Sequence, residues 1–249
     1  MNLTDNTMLI TGGGSGIGRG LAEILHQAGN QVVIAGRRGD SLRAVADANP
    51  GVDYCHLDLA RPDSIARLTA ELADRHPGLN VLVNNAGVMH AEDLLAGEAN
   101  LAGIAETTVA VNLLGPMRLT AALLPRLLGQ PNPAIVNVTS ALAFVPKAAA
   151  PTYSATKAGL HAYTESLRRQ LRGTPVQVIE IIPPQVETDM LAGQNRSPSV
   201  MALDSFVAEA VSLLRSEPDA AEIVVDAAKR VRCAAHDGRY DDIFDAVNP

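Results

Sequence analysis

The sequence predicts an α/β fold: one doubly wound parallel sheet of six to seven strands with helices on both faces. Three observations predict it. Short apolar runs alternate with longer amphipathic runs along most of the chain. The apolar runs mostly lack polar alternation, as parallel strands buried on both faces do. A glycine-rich turn joins the first apolar run to the first amphipathic one. Strict strand–helix alternation closes into such a sheet through right-handed crossovers.

The strands are expected at residues 8–11, 32–36, 52–56, 81–84, 135–140 and 176–182, with a weaker seventh at 223–225. Helices are expected at 17–28, 40–48, 62–75, about 100–128, 151–171 and 205–215. Pro62 suits the first position of its helix, where a missing N–H costs nothing. No repeat or linker interrupts the pattern, so residues 1–249 read as a single dinucleotide-binding domain. The polar stretch 193–199 is the most loop-like internal segment, which suggests a substrate lid at about 190–203.

Composition narrows the class. The chain is 47% hydrophobic and 19% charged, which is ample for a large core and too little charge for disorder. A net charge of -7 without a long block of one sign points to solubility and away from nucleic acid, which requires a basic face. No stretch is expected to supply the ~18 apolar residues of a membrane helix, and no leader pattern opens the chain, so a cytoplasmic location is expected. Cys55 and Cys233 read as two buried free thiols.

The glycine turn is Thr11-Gly12-Gly13-Gly14-Ser15-Gly16-Ile17-Gly18. A strand precedes it and an amphipathic helix follows. Glycines there allow a tight turn and close approach of backbone to a pyrophosphate. The helix N-terminus then offers free N–H groups and partial positive charge. The expected phosphate contacts are Gly12, Ser15, Gly16, Ile17 and Gly18. Strand two ends Gly36-Arg37-Arg38. An acid at that place would hold a ribose 2′-hydroxyl, whereas guanidinium groups pair with a 2′-phosphate, so NADP(H) is expected over NAD(H). Two solvated loop arginines are the bland alternative.

Further along, Ser140 ends strand five, and Tyr153 and Lys157 lie four apart on one helical face. Hydride addition to a carbonyl leaves an oxygen that needs a proton. A free tyrosine has a pKa of ~10, and a nearby cation would lower it. Ser140 can donate to the same oxygen.

The spacing Gly12-x-x-x-Gly16-x-Gly18, with Thr11 before it and Ser140, Tyr153 and Lys157 after it, resembles the short-chain dehydrogenase/reductase family. The likeness covers nearly the whole chain up to about residue 190. It implies a Rossmann-type fold, a carbonyl or alcohol substrate and a homodimer or homotetramer. It also implies that Asn112 completes the catalytic group by holding a proton-relaying water, and that Lys157 bonds the nicotinamide ribose. Asp58 and Leu59 would flank the adenine. Asn84, Ala86 and Gly87 would follow the adenosine ribose. Val186 and Thr188 would hold the carboxamide, and Pro183 would belong to the same cofactor site. Two features depart from the family: Pro184 stands where a glycine is usual, and residues 226–249 form an atypical tail. Together they weakly resemble the oxidoreductases encoded beside D-alanine–lipoteichoic acid genes.

A substrate pocket of 141–144, Pro146, Gln185, His90 and 190–201 would be mostly apolar, favouring a carbonyl compound without strong charge. The scattered histidines have no metal-ligand spacing, so no metal is expected. Two other classes remain in view. A non-catalytic NADP-binding redox regulator would keep the glycine turn and lose the tyrosine or lysine. A nucleotide-sugar epimerase would be longer, with a tighter glycine spacing.

Overall fold

A computed structural model describes residues 1–97, 103–188, 190 and 200–249. Seven strands form one sheet: β1 (Thr7–Thr11), β2 (Gln31–Gly36), β3 (Asp53–His56), β4 (Leu79–Asn84), β5 (Ala134–Val138), β6 (Gln177–Ile182) and β7 (Glu222–Val224). Their order is β3-β2-β1-β4-β5-β6-β7, and every pairing is parallel. Chain direction across the sheet reverses between β1 and β4. Ligands of open α/β sheets bind at such a switch point, beyond the carboxyl ends of the strands.

The period of two explains how one strand serves two cores. In β1, Met8 and Ile10 face one cluster and Leu9 faces the other, all fully buried. The first cluster is closed by helices α1 (Gly16–Gln27), α2 (Gly39–Ala48) and α7 (Leu203–Ser216) through Leu21, Leu42 and Phe206. The second is closed by α3 (Pro62–Arg75), α5 (Gly115–Leu127) and α6 (Pro151–Gln170) through Leu68, Leu119 and Leu167. Pro62 does open α3.

The single helix expected at about 100–128 is instead interrupted. Helix α4 (Ile104–Val109) passes into a π-turn at Ala110–Leu114 before α5 begins. Pro116 has no N–H, so the Asn112 carbonyl lacks its α-helical donor. A wider turn follows, in which Gly115 N–H donates to the Ala110 carbonyl five residues back. Residues Ile104–Leu127, 24 in all and with a mean hydropathy of 1.3 over an 18-residue stretch, are by length and composition enough to cross a bilayer. The expectation of no such stretch therefore fails, although Leu119, Leu123 and Leu127 of that run are buried against the sheet.

Strand β5 also stops two residues before Ser140. The Ser140 hydroxyl accepts from Leu142 N–H at 3.1 Å and caps a 3-10 turn, Ala141–Ala143, which pulls the chain out of the sheet. Two tail helices follow β7: α8 (Asp226–Arg232) and α9 (Tyr240–Val247). Cys55 is a buried free thiol whose pKa burial raises to about 12, with Glu71 adding to the rise. Cys233 is free and only partly buried, contrary to expectation, because it caps the exposed helix α8. The lid expected at 190–203 falls largely on residues outside those described.

Candidate active site

A cleft of about 1000 Å³ runs along the carboxyl edge of the sheet across the switch point. One end is built from backbone. Thr11, fully buried at the end of β1, ties the turns after β1 and β4 together. Its hydroxyl accepts from Asn85 N–H at 3.0 Å and Ala86 N–H at 3.1 Å, while its carbonyl accepts from the Asn85 amide at 2.9 Å. Gly12, at φ +71°, lies where a Cβ would come within 2.9 Å of the Ala86 backbone. Only glycine fits so close a crossing.

Helix α1 starts at this end. Its N-cap Ser15 makes no side-chain cap, so the first-turn amides stay available beside Gly12, Ser15, Gly16 and Ile17, which line the cleft. The Ser15 hydroxyl instead accepts from Arg38 at 2.8 Å. Arg37 and Arg38 both line the cleft at the end of β2, together with Gly36. Asp58 and Leu59 after β3, and Ala86 and Gly87 after β4, complete this end. An open helix N-terminus, a Cβ-free crossing and two cations fit a dinucleotide with an extra phosphate.

Three expected site residues are not among those lining the cleft. Asn84 is 2% exposed and does not line the cleft; its amide donates to Thr120 at 3.1 Å and Asn137 at 2.9 Å, so it braces β4 against β5 and α5. Asn85 lines the cleft in its place. Gly18 is a packing glycine: a Cβ there would meet the Asn85 amide at 2.3 Å and the Gly12 carbonyl at 2.5 Å. Asn112 is buried in the π-turn with its side chain fully engaged. It accepts from Val88 N–H at 2.8 Å and donates to the Val88 carbonyl at 2.8 Å and to Thr156 at 3.3 Å. Its side chain holds the turn after β4.

Ser140, Tyr153 and Lys157 converge on the floor of the other end. Tyr153 is 6% exposed and shares a hydrogen bond with Ser140. Lys157 Nζ donates to the Val138 carbonyl at 2.8 Å and lies 5.7 Å from the Tyr153 ring centre. Burial pushes the tyrosine up to about 12, with the Ser140 bond opposing, and pushes the lysine down to about 8, with Glu180 opposing. The expected lowering of Tyr153 by Lys157 is thus reversed. Burial is the largest cause of the rise, and it disfavours the charged phenolate.

Beneath Lys157 lies a charge network absent from the sequence reading. Glu180 is fully buried, accepts from Thr139 at 2.6 Å and pairs with His161 at 2.9 Å. His161, Glu180 and Glu222 bring ligand atoms within 4.8 Å of one another, but Arg232 takes both oxygens of Glu222 at 2.9 Å. A metal would have to displace these partners.

The substrate wall was only partly foreseen. Ala141, Leu142, His90, Gln185 and Met190 line the cleft, with Pro183, Val186 and Thr188 nearer its middle. Phe144 turns away, edge-on to His161 at 4.7 Å and under Arg232 at 4.2 Å, and Ala143 and Pro146 also miss the cleft. Lys147 and the tail supply the remainder, including Arg230, Val231 and Val247. The signal for the tail was its apolar set Val231, Ala234, Ile243, Phe244 and Val247, which needs cover and finds it on Val145.

Other proteins carry this architecture. A Bacillus subtilis protein, the uncharacterized oxidoreductase DltE, is 42% identical over 190 residues, 76% of this chain and 75% of its own. A short chain dehydrogenase from Burkholderia cenocepacia, solved in complex with NADP, superposes with a TM-score of 0.82 at 26% identity, covering 99% of both chains. A Burkholderia phymatum short chain dehydrogenase/reductase solved with NAD shares the fold at 21% identity, with a TM-score of 0.81 over 97% of this chain and 96% of its own. The short chain dehydrogenase family model matches residues 6–199, the stretch that holds the glycine turn, Ser140, Tyr153 and Lys157. The chain is therefore an oxidoreductase of the short-chain dehydrogenase/reductase family.

Proposed function

We propose that this oxidoreductase uses NADP(H) and interconverts a carbonyl and an alcohol, with Tyr153 exchanging the proton at the substrate oxygen. The observation that carries the reading is the meeting of Ser140, Tyr153 and Lys157 on the floor of a cleft whose far end is an open helix N-terminus. NADPH supplies a hydride when bound, and NADP⁺ accepts one in the reverse direction.

The residues divide the remaining tasks. In reduction, charge develops on the carbonyl oxygen as its carbon gains the hydride. Tyr153, held protonated by burial, gives that oxygen a proton, and Ser140 adds a second hydrogen bond. Lys157, titrating near 8, stands ready to replenish the tyrosine and keeps N–H groups free for ribose hydroxyls. Asn112, as the family resemblance implies, would hold a water behind the lysine. Val186 and Thr188 line the cleft and would hold the carboxamide, and Pro184 stiffens the turn that carries them. The regulator alternative has no site feature in its favour, since the serine, tyrosine and lysine all face the cleft.

NADP(H) preference rests on Gly36 in the acid's place and on Arg37 and Arg38 at the cleft edge. A charge-assisted phosphate contact contributes about 1.5–3 kcal/mol, or roughly tenfold or more in affinity. Titration of both reduced cofactors is the test. NADPH is expected to bind more tightly by that factor, and equal or tighter NADH binding refutes the assignment.

A further inference from the structure

We propose that the substrate carries a carboxylate or phosphate group, held by Arg230 and Lys147 at the Tyr153 end of the cleft. The proposal rests on the reading that a carbonyl compound occupies this end. It replaces the uncharged substrate that the sequence suggested.

The argument is one of unbalanced charge. The chain as a whole is acidic, at -7. Helix α8 carries Lys229, Arg230 and Arg232. Lys229 pairs with Asp226 at 3.3 Å and Arg232 with Glu222 at 2.9 Å. Arg230 has no hydrogen bond or ion pair among the described residues, and it lines the cleft. Helix α8 packs against the 3-10 turn that follows Ser140, which fixes Arg230 at the substrate end.

Lys147 reaches the same space from the loop between β5 and α6. The single partner of its ammonium among the described residues is the Val247 carbonyl at 3.4 Å, with no ion pair to a described carboxylate. Among the described residues the one acidic side chain lining the cleft is Asp58, after β3 at the dinucleotide end. Two cations with no ion pair among the described residues therefore line the cleft with Leu142, Val231 and Val247. Apolar neighbours lower the local dielectric and strengthen attraction for an anion. Arginine adds a planar fork that matches carboxylate and phosphate oxygens.

The experiment compares matched substrates. Rates of NADPH oxidation are measured with succinate semialdehyde against its methyl ester, and with dihydroxyacetone phosphate against dihydroxyacetone. One anionic member is expected to exceed its neutral partner in kcat/KM by about tenfold or more, and the pair that does so identifies the anion. In Arg230→Gln and Lys147→Gln that ratio is expected to fall, mainly through KM. In Arg230→Glu it is expected to invert. NADPH titration of each variant verifies an intact cofactor site. Equal rates within both pairs, or ratios that no variant moves, overturn the proposal. Calorimetric titration of succinate and of inorganic phosphate into NADP⁺-loaded protein separates this idea from the one beneath it. Anion binding weakened by Arg230→Gln, without turnover of any carbonyl, sustains the anion site and overturns the carbonyl reading. Carbonyl turnover without anion preference does the reverse.

Discussion

The dinucleotide half of the cleft and the Tyr153 half differ in how far along the chain their parts are gathered. The first half comes from short contiguous motifs at strand ends, residues 11–17, 36–38, 58–59 and 85–87. Its contacts are largely backbone amides and close crossings that need no Cβ, as at Gly12. The second half is stitched from segments about a hundred residues apart. Ala148 N–H donates to Asn248 at 2.6 Å, the Asn248 amide donates to the Pro146 carbonyl at 3.1 Å, and Val145 packs with Ala234 and Ile243. A half built from backbone geometry is constrained to one ligand shape. A half built from tail side chains can change its ligand without disturbing the first.

Tyr153→Phe is expected to break the two halves apart most sharply. Phenylalanine keeps the ring and the packing and removes only the hydroxyl. General acid–base catalysis supplies roughly 10²–10⁴-fold, so turnover should fall by about that factor while NADPH affinity holds. Lys157→Ala should lower both, since it removes the charge beside Tyr153 and the implied ribose contact. Steady-state rates beside cofactor titrations make the comparison. Near-normal turnover by Tyr153→Phe would place the proton donor elsewhere.

Ile243→Ala tests whether the tail belongs to one half alone. The side chain is 2% exposed within the small tail cluster. Large-to-small core changes cost about 2–5 kcal/mol, and a peripheral cluster can partly collapse, so about 2 kcal/mol is expected. The loss should appear as faster hydrogen exchange in residues 226–249 and a raised KM for substrate. NADPH affinity should stay as it was. A variant that weakens NADPH as much as substrate would show the halves to be one unit.

The same division explains what the sequence revealed. Every strand and most helices were legible, because burial on both faces makes apolar runs such as 8–10 and 32–35 unambiguous. The backbone half of the site was legible too, since glycine turns after strands are local signals. Side chains in the same motifs were harder. Asn84 and Asn85 are adjacent and chemically identical, and only the pleat of β4 sends one into the core and the other to the cleft. The π-turn at 110–114 was invisible to a helical period, although Pro116 marked the missing donor. Arg230 and Lys147 come to line one cleft only through tail packing, and no spacing along the chain encodes that.

The smallest expected effect lies beneath both halves, in the His161–Glu180 pair. Glu180 anchors Thr139, which precedes Ser140, and binds His161 one helical turn beyond Lys157. The Glu180 hydrogen bond raises the His161 pKa above its usual 6.5, against the opposing effect of burial. A raised value means that the folded protein holds this proton more tightly than the unfolded chain. Stability from the pair is therefore present in full below about 6.5 and is lost as pH climbs through the raised folded value. Urea unfolding of the wild-type protein and His161→Gln from pH 6 to 9 measures it. Lys157 titrates in the same window, so the difference between the two proteins is the quantity to read. That difference should be largest at the acid end and shrink as pH rises. A gap that is constant, or that widens with pH, would mean that His161 is held as a neutral imidazole. The network under the active site would then be a hydrogen-bonded brace and not an ion pair.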